Sequence, residues 1–165
     1  MEINKVVVGI LETNCYILTK NNKCLIIDPG DEYNKIKEQI NNKQLVGIIV
    51  THYHFDHIGA LNHFDKSLII DINNLEEKEY KIGDFNFEII YTPGHKEDAI
   101  TIYFKEENIM FTGDFIFKNA IGRTDLNGGN NVDMINSLNK KKKYNNKIKI
   151  YPGHGDYTYL GEEIY

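Results

Sequence analysis

Thr51-His52-Tyr53-His54-Phe55-Asp56-His57 decides the reading of this chain. It follows Leu45-Val46-Gly47-Ile48-Ile49-Val50, a continuous apolar run of the kind that forms a strand buried on both faces. In extended backbone, residues two apart face the same side, so His52 and His54 can grip one ion together. If the chain then turns, Asp56 and His57 present to a second point nearby. Imidazole nitrogen and carboxylate oxygen are ligands suited to Zn²⁺, Fe²⁺ and Mn²⁺. The whole chain has six histidines, and three of them fall within residues 52–57, a density that an ordinary polar loop does not explain.

Three further stretches repeat the pattern of a ligand-type residue beside glycine at the end of an expected strand. They are Thr92-Pro93-Gly94-His95, Thr112-Gly113-Asp114 and Tyr151-Pro152-Gly153-His154. Glycine and proline allow sharp turns that push a side chain over a sheet edge. Each is weak alone, since Pro-Gly-His also serves in ordinary turns. Together they add two histidines and an aspartate. His63 stands outside the pattern and reads as a surface or helix-end residue.

Periodicity places strands at 3–9, 14–20, 23–28, 45–50, 67–71, 99–104, 108–112 and 147–151, with a hairpin over 80–91 turning at Gly83-Asp84. Helices are expected at 33–41, 58–64 and 131–143. For the last of these, Asn131 is the expected N-cap, with Val132, Ile135 and Leu138 on one face. Strands dominate, and buried runs mix with alternating ones, which suggests one layered α/β or α+β domain over residues 1–165.

These motifs, running in order from Asp28-Pro29-Gly30 to His154, resemble the metallo-β-lactamase superfamily, whose hallmark is H-x-H-x-D-H followed by later His, Asp and His ligands. The resemblance implies an αββα sandwich of two mixed sheets flanked by helices, with the site at one edge. It implies two divalent ions, zinc first, with iron or manganese also suited to the donors. His52, His54 and His95 would hold one ion, Asp56, His57 and His154 the other, and Asp114 would bridge them. Asp56 would also orient an attacking hydroxide and shuttle a proton.

Within the superfamily the chain is similar to the single-domain glyoxalase II-like hydrolases. Thr13-Asn14-Cys15-Tyr16, Asp28-Pro29-Gly30-Asp31, Gly113-Asp114-Phe115-Ile116-Phe117 and Ile121-Gly122-Arg123-Thr124-Asp125-Leu126 carry that likeness. It implies hydrolysis of a thioester of the hydroxyacylglutathione type. Two departures bear on the thiol carrier. The chain ends 11 residues after His154, where a full glyoxalase II adds a helical glutathione-binding domain, so that domain is expected to be absent. After His95 the turn reads Lys96-Glu97-Asp98-Ala99, charged where relatives carry T-x-G-S. Persulfide dioxygenases share the fold, and in such a reading His52, His95 and Asp114 would hold a single iron. Ribonuclease Z relatives share it too.

Composition narrows the rest. The chain has 165 residues, a net charge of −5 and no apolar run approaching the roughly 20 residues of a membrane span. An acidic balance argues against a nucleic-acid partner and leaves a small-molecule thioester as the expected one, with a homo-oligomer open. Lys140-Lys141-Lys142-Lys143 reads as the solvated end of a helix. Cys15 and Cys24 fall on adjacent strands but out of register for a disulfide, which suits a reducing cytoplasm. Arg123 is the sole arginine. Its planar fork could clamp a substrate carboxylate or carbonyl, or bind backbone carbonyls or Asp125. Tyr53 and Phe55 could line the entrance, with core packing the expected role of Phe55.

Overall fold

Alternation along the strands sets the layers. In the second strand, Tyr16 and Leu18 face one way, Cys15 and Ile17 the other, and all four are buried. A strand buried on both faces needs cover on both. The computed structural model, which describes residues 1–163, provides that cover in four layers.

Glu2–Val8 (β1), Thr13–Lys20 (β2), Lys23–Ile27 (β3), Gln44–Ile49 (β4) and Ile69–Ile70 (β5) form a five-stranded sheet in that order. Its first three strands are antiparallel and its last three parallel. Glu79–Ile82 (β6), Phe85–Tyr91 (β7), Ile100–Phe104 (β8) and Ile109–Gly113 (β9) continue into a second sheet. After the small hairpin Ile116–Phe117 (β10) and Ala120–Ile121 (β11), that sheet is completed by Lys149–Pro152 (β12) and Thr158–Tyr159 (β13). Its order is β13-β12-β9-β8-β7-β6, and β12 runs parallel to β9.

Between the sheets lie Tyr16, Leu18, Leu25, Ile27 and Ile49 from one side and Phe85, Phe87, Ile89, Ile100, Ile102, Phe104 and Phe111 from the other. Helix Tyr33–Ile40 (α1) buries Ile36 and Ile40 against the outer face of the first sheet. A short helix, Phe55–Ile58 (α2), follows β4. Helix Asn131–Lys141 (α3) buries Met134 and Leu138 against the second sheet. The result is the expected sandwich of two mixed sheets flanked by helices.

Local readings differ in a few places, for identifiable reasons. The helix expected at 58–64 is instead α2, which begins inside the histidine motif, and a 3₁₀ turn at Leu61–His63. The N-cap of α3 is Asn130, whose side-chain oxygen accepts from Val132 N at 2.8 Å and Asp133 N at 3.2 Å. Val132 and Ile135 are 65% and 50% exposed rather than sharing the buried face of Leu138. A three-residue step drifts about 60° around a helix, so two such steps put Val132 a third of a turn away from Leu138. Cys24 does sit opposite Thr19, and both cysteines are buried and free. No helix among the described residues is long and apolar enough to cross a membrane.

Candidate metal centre

The C-terminal ends of five strands converge at one edge of the sandwich. β3 delivers Asp28, β4 delivers His52, His54, Asp56 and His57, β7 delivers His95, β9 delivers Asp114, and β12 delivers His154. Backbone bonds stitch the two sheets together here. Ile100 N donates to Thr51 O at 2.9 Å, Asn14 N donates to Gly153 O at 2.7 Å, and Thr13 pairs with His154 in an isolated bridge.

All seven residues proposed as ligands are brought together. His52 Nε2 and His95 Nε2 lie 3.1 and 2.9 Å from His54 Nδ1. His57 Nε2 stands 3.4 Å from Asp56 Oδ2 and 3.3 Å from Asp114 Oδ1. His154 Nε2 is 3.2 Å from Asp56 Oδ2 and 3.5 Å from Asp114 Oδ2, and His95 Nε2 is 3.4 Å from Asp114 Oδ2. Three groups of donor atoms therefore each lie within 4.8 Å of one another: His52, His54 and His95; His52, His57 and Asp114; and Asp56, His57 and His154. Asp114 is the residue common to both halves.

The outer nitrogens explain why the inner ones face inward. His52 Nδ1 is 3.0 Å from Thr51 Oγ1, whose proton goes to Asp28 Oδ2 at 2.6 Å, so that hydroxyl can only accept from His52. His57 Nδ1 donates to Asp28 Oδ2 at 2.8 Å, His95 Nδ1 to Arg123 O at 2.8 Å, and His154 Nδ1 to Leu11 O at 3.0 Å. Each acceptor fixes a tautomer that leaves a lone pair on Nε2, aimed at the centre. His54 is the exception and presents Nδ1. Lone pairs facing one another repel unless a cation lies between them. His57 Nε2 and Asp114 Oδ1 are buried, and neither has a hydrogen-bond partner among the described residues. A buried polar atom without a partner is costly, and a divalent ion satisfies both. The donor set thus fits the expected pair of ions.

Charge is distributed unevenly. Burial opposes a charged His57, but the negative charges of Asp28 and Asp114 outweigh it and push its pKa up to about 10. Burial likewise opposes the charge on His154, yet the contacts with Asp114 and Asp56 raise it to about 9. Burial would raise the Asp56 and Asp114 carboxyls; the neighbouring histidines instead hold both well below the usual carboxylate range. His52 and His54 go the other way: burial first, then neighbouring imidazoles, keep them below the ordinary histidine value.

Sequence reasoning missed part of the support. Asp28, fully buried, accepts from Thr51 N at 2.7 Å, Thr51 Oγ1 and His57 Nδ1, and so orients ligands of both halves. It does so from a left-handed backbone (φ 53°), a strained state typical of functional sites. Its signal was present in Asp28-Pro29-Gly30, another strand-end glycine motif. Gly30 is needed because a Cβ there would collide with the Asp56 carbonyl oxygen, and one at Gly153 would collide with Asp114 Oδ1. Thr13 Oγ1 donates to Asp56 Oδ2 at 2.9 Å. Arg123 contributes its carbonyl to His95, while its exposed fork binds Asp125 at 2.7 and 2.6 Å. Phe55 is 69% exposed and lines a cleft beside Asp56 with Ile10 and Leu11, so it does not pack in the core. Tyr53 is held by its hydroxyl on Asp71 and by its N–H, which donates to Asp98 Oδ2 at 3.2 Å.

Comparison with known proteins agrees with this geometry. The family model described as the metallo-beta-lactamase superfamily matches residues 8–72 and 67–154. The chain is 31% identical to the probable metallo-hydrolase YqgX of Bacillus subtilis, over 96% of this chain and 92% of the relative. It is 29% identical to the hydroxyacylglutathione hydrolase GloC of Haemophilus influenzae, over 99% and 95%. Among solved structures, the BLEG-1 B3 metallo-beta-lactamase superposes with a TM-score of 0.91 at 25% identity, covering 98% of this chain and 95% of that one. A di-iron-bound form of TTHA1623 gives 0.86 at 26% identity, covering 97% and 96%.

Proposed function

The chain belongs to the metallo-β-lactamase superfamily, and from that premise we propose that it is a binuclear metallo-hydrolase acting on a thioester of the hydroxyacylglutathione type. The observation that carries the reading is the set of seven inward-facing donors, with Asp114 beside both halves and with buried His57 Nε2 and Asp114 Oδ1 lacking hydrogen-bond partners among the described residues. His52, His54 and His95 would hold one ion, Asp56, His57 and His154 the other, and Asp114 both. Zinc is the first candidate and iron or manganese the alternatives; the solved di-iron relative keeps iron in view. Two such ions supply an ionised water at neutral pH and polarise a carbonyl.

The protein's own residues do the rest. Asp56 is suited to orient the attacking water, because Thr13 Oγ1 donates to its Oδ2 and holds the carboxylate in place. The same carboxylate can take the proton that the leaving thiolate later needs. Asp28, through Thr51, keeps His52 in the tautomer that faces inward, and through its own contact does the same for His57. Neither half requires a serine or cysteine nucleophile, and both cysteines are buried. The thioester reading rests further on the likeness to GloC, which is 29% identical over nearly the whole chain.

The test is metal content per chain on the same sample assayed for S-D-lactoylglutathione hydrolysis. About two ions per chain with turnover is expected for a two-metal site. One iron per chain with no hydrolysis would sink the proposal in favour of an iron oxygenase. A fully metallated, fully active His54→Ala would sink the ligand assignment.

A further inference from the structure

The turn after His95 is where this chain departs from its resemblance, reading Lys96-Glu97-Asp98. Lys96 is half-buried, and its backbone carbonyl closes the turn by accepting from Gly94 N and Ala99 N, both at 3.3 Å. The side chain reaches across to the loop that carries Arg123: a Cβ built on Gly128 would stand 3.4 Å from Lys96 Nζ. It follows His95 directly, and the Nε2 of that ring lies 2.9 Å from His54 Nδ1. Glu97 lies close to the same point of Gly128, yet no carboxylate among the described residues comes within 4.0 Å of Lys96 Nζ. A half-buried ammonium without an acid partner, one residue from a metal ligand, is uncommon, because burying an unpaired charge is costly.

The two flanks of the centre differ in what they offer an anion. Beyond Asp56 the cleft is lined by Ile10, Leu11, Phe55 and Asp31, which present apolar surface and negative charge. On the His54 side, the cations are Lys96 and Arg123, and Arg123 gives its fork to Asp125. An anionic group on a bound substrate is therefore repelled from the Asp56 cleft, whereas beside His95 it meets Lys96, a half-buried cation with no acid partner among the described residues.

We propose that Lys96 is a specificity-determining residue that receives an anionic group, a carboxylate in a glutathione-type carrier, on the His54 side of the centre. This rests on the thioester reading above. Lys96 would add affinity for the carrier and leave the reacting atoms to the metals and Asp56.

The test compares two thioesters with the same acyl group, one on glutathione and one on uncharged N-acetylcysteamine, in wild type, Lys96→Gln, Lys96→Arg and Arg123→Gln. The readout is the ratio of kcat/KM for the two carriers. Wild type should prefer the anionic carrier, and Lys96→Gln should cut that preference about tenfold, the scale of one charge-assisted hydrogen bond. Lys96→Arg should keep most of it, and Arg123→Gln should lower it less than Lys96→Gln does. A merely structural role would lower both carriers equally and leave the ratio alone. No preference in wild type, or an unchanged ratio in Lys96→Gln, overturns the proposal. If wild type cleaves neither thioester, the functional reading fails, and calorimetry with S-methylglutathione on the zinc-loaded protein decides Lys96 separately. Binding that Lys96→Gln weakens about tenfold supports the proposal; no binding, or equal binding, overturns it.

Discussion

The two halves of the metal centre are built differently, although they share Asp114 and lie side by side. The half formed by His52, His54 and His95 is three imidazoles, of which burial and neighbouring rings hold His52 and His54 below their ordinary pKa. The half formed by Asp56, His57 and His154 is an ion-pair cluster, in which raised histidines face lowered carboxylates. The second half is tied to the fold by direct contacts, His57 to buried Asp28 and His154 to Thr13, where His52 reaches Asp28 only through Thr51. One half is a cluster of imidazoles, and the other pairs histidines with carboxylates in a network of opposite charges. The comparison teaches that an equal ligand count need not mean an equal part in stability or in metal loading.

Removing one ligand from each half gives the largest contrast. His57→Ala leaves Asp28 buried without its cationic partner and should cost about 3 kcal/mol in the metal-stripped protein, the scale for breaking a buried pair. His54→Ala removes a half-buried ring with no anionic partner and should stay within about 1 kcal/mol. Urea unfolding with chelator present measures both, and equal losses would erase the distinction. The sign with pH follows from the raised pKa values. The stabilisation from His57 and His154 is fully present below an unfolded pKa of about 6.5. It is lost as pH rises through about 9 for His154 and about 10 for His57. The gap between wild type and His57→Ala should therefore narrow in alkali.

Metal loading sharpens the same contrast with a smaller effect. An ion entering the second half must displace protons from His57 and His154, whereas one entering the first meets His52 and His54 held below their ordinary pKa. Metal affinity that requires deprotonation falls with pH, by about tenfold per unit for each proton released. Between about pH 7.5 and 6, zinc should lose affinity steeply for one site and little for the other. Calorimetry in buffers of different ionisation heat counts the protons directly. The step at the first half should release fewer protons, and the step at the second should release about two. Identical proton release from both steps would contradict the charge assignment.

Much of this centre is legible in the sequence, because four ligands crowd into one motif after a buried run and the other three each follow a glycine at a strand end. The buried run before His52 fixes a central strand, and Gly94, Gly113 and Gly153 mark three more strand ends. The supporting groups were not legible, because their partners are distant in sequence. Asp28 reads as an ordinary turn residue until His57, 29 positions later, is placed on it. Leu11 contributes a backbone carbonyl, which no side-chain pattern reveals. β10, β11 and β13 have two residues each, too short for periodicity to register. Phe55 was misread because an aromatic inside a motif suggests packing, whereas the turn that aims Asp56 and His57 inward leaves residue 55 outside.

The smallest expected effect comes from Asp98, and it tests whether the first half is independent of the second. Asp98 lies three residues past His95, and its Oδ2 accepts from the amide of Tyr53, the residue between His52 and His54. One side chain thus ties the β4 loop to the β7 loop, the two segments that supply the first half. Its other oxygen, Oδ1, is buried without a hydrogen-bond partner among the described residues, so only the acceptor, not the charge, is accounted for. Asp98→Ala should weaken zinc at the first half by about tenfold, the lower range for losing an outer-shell support. Asp98→Asn retains an acceptor for Tyr53 N and should restore most of that loss. Neither change should alter the affinity of the proton-coupled site, because His57 and His154 are held by Asp28 and Leu11 instead. Should Asp98→Ala weaken both sites together, the two halves would be one cooperative unit, and the contrast between them would lie in charge alone.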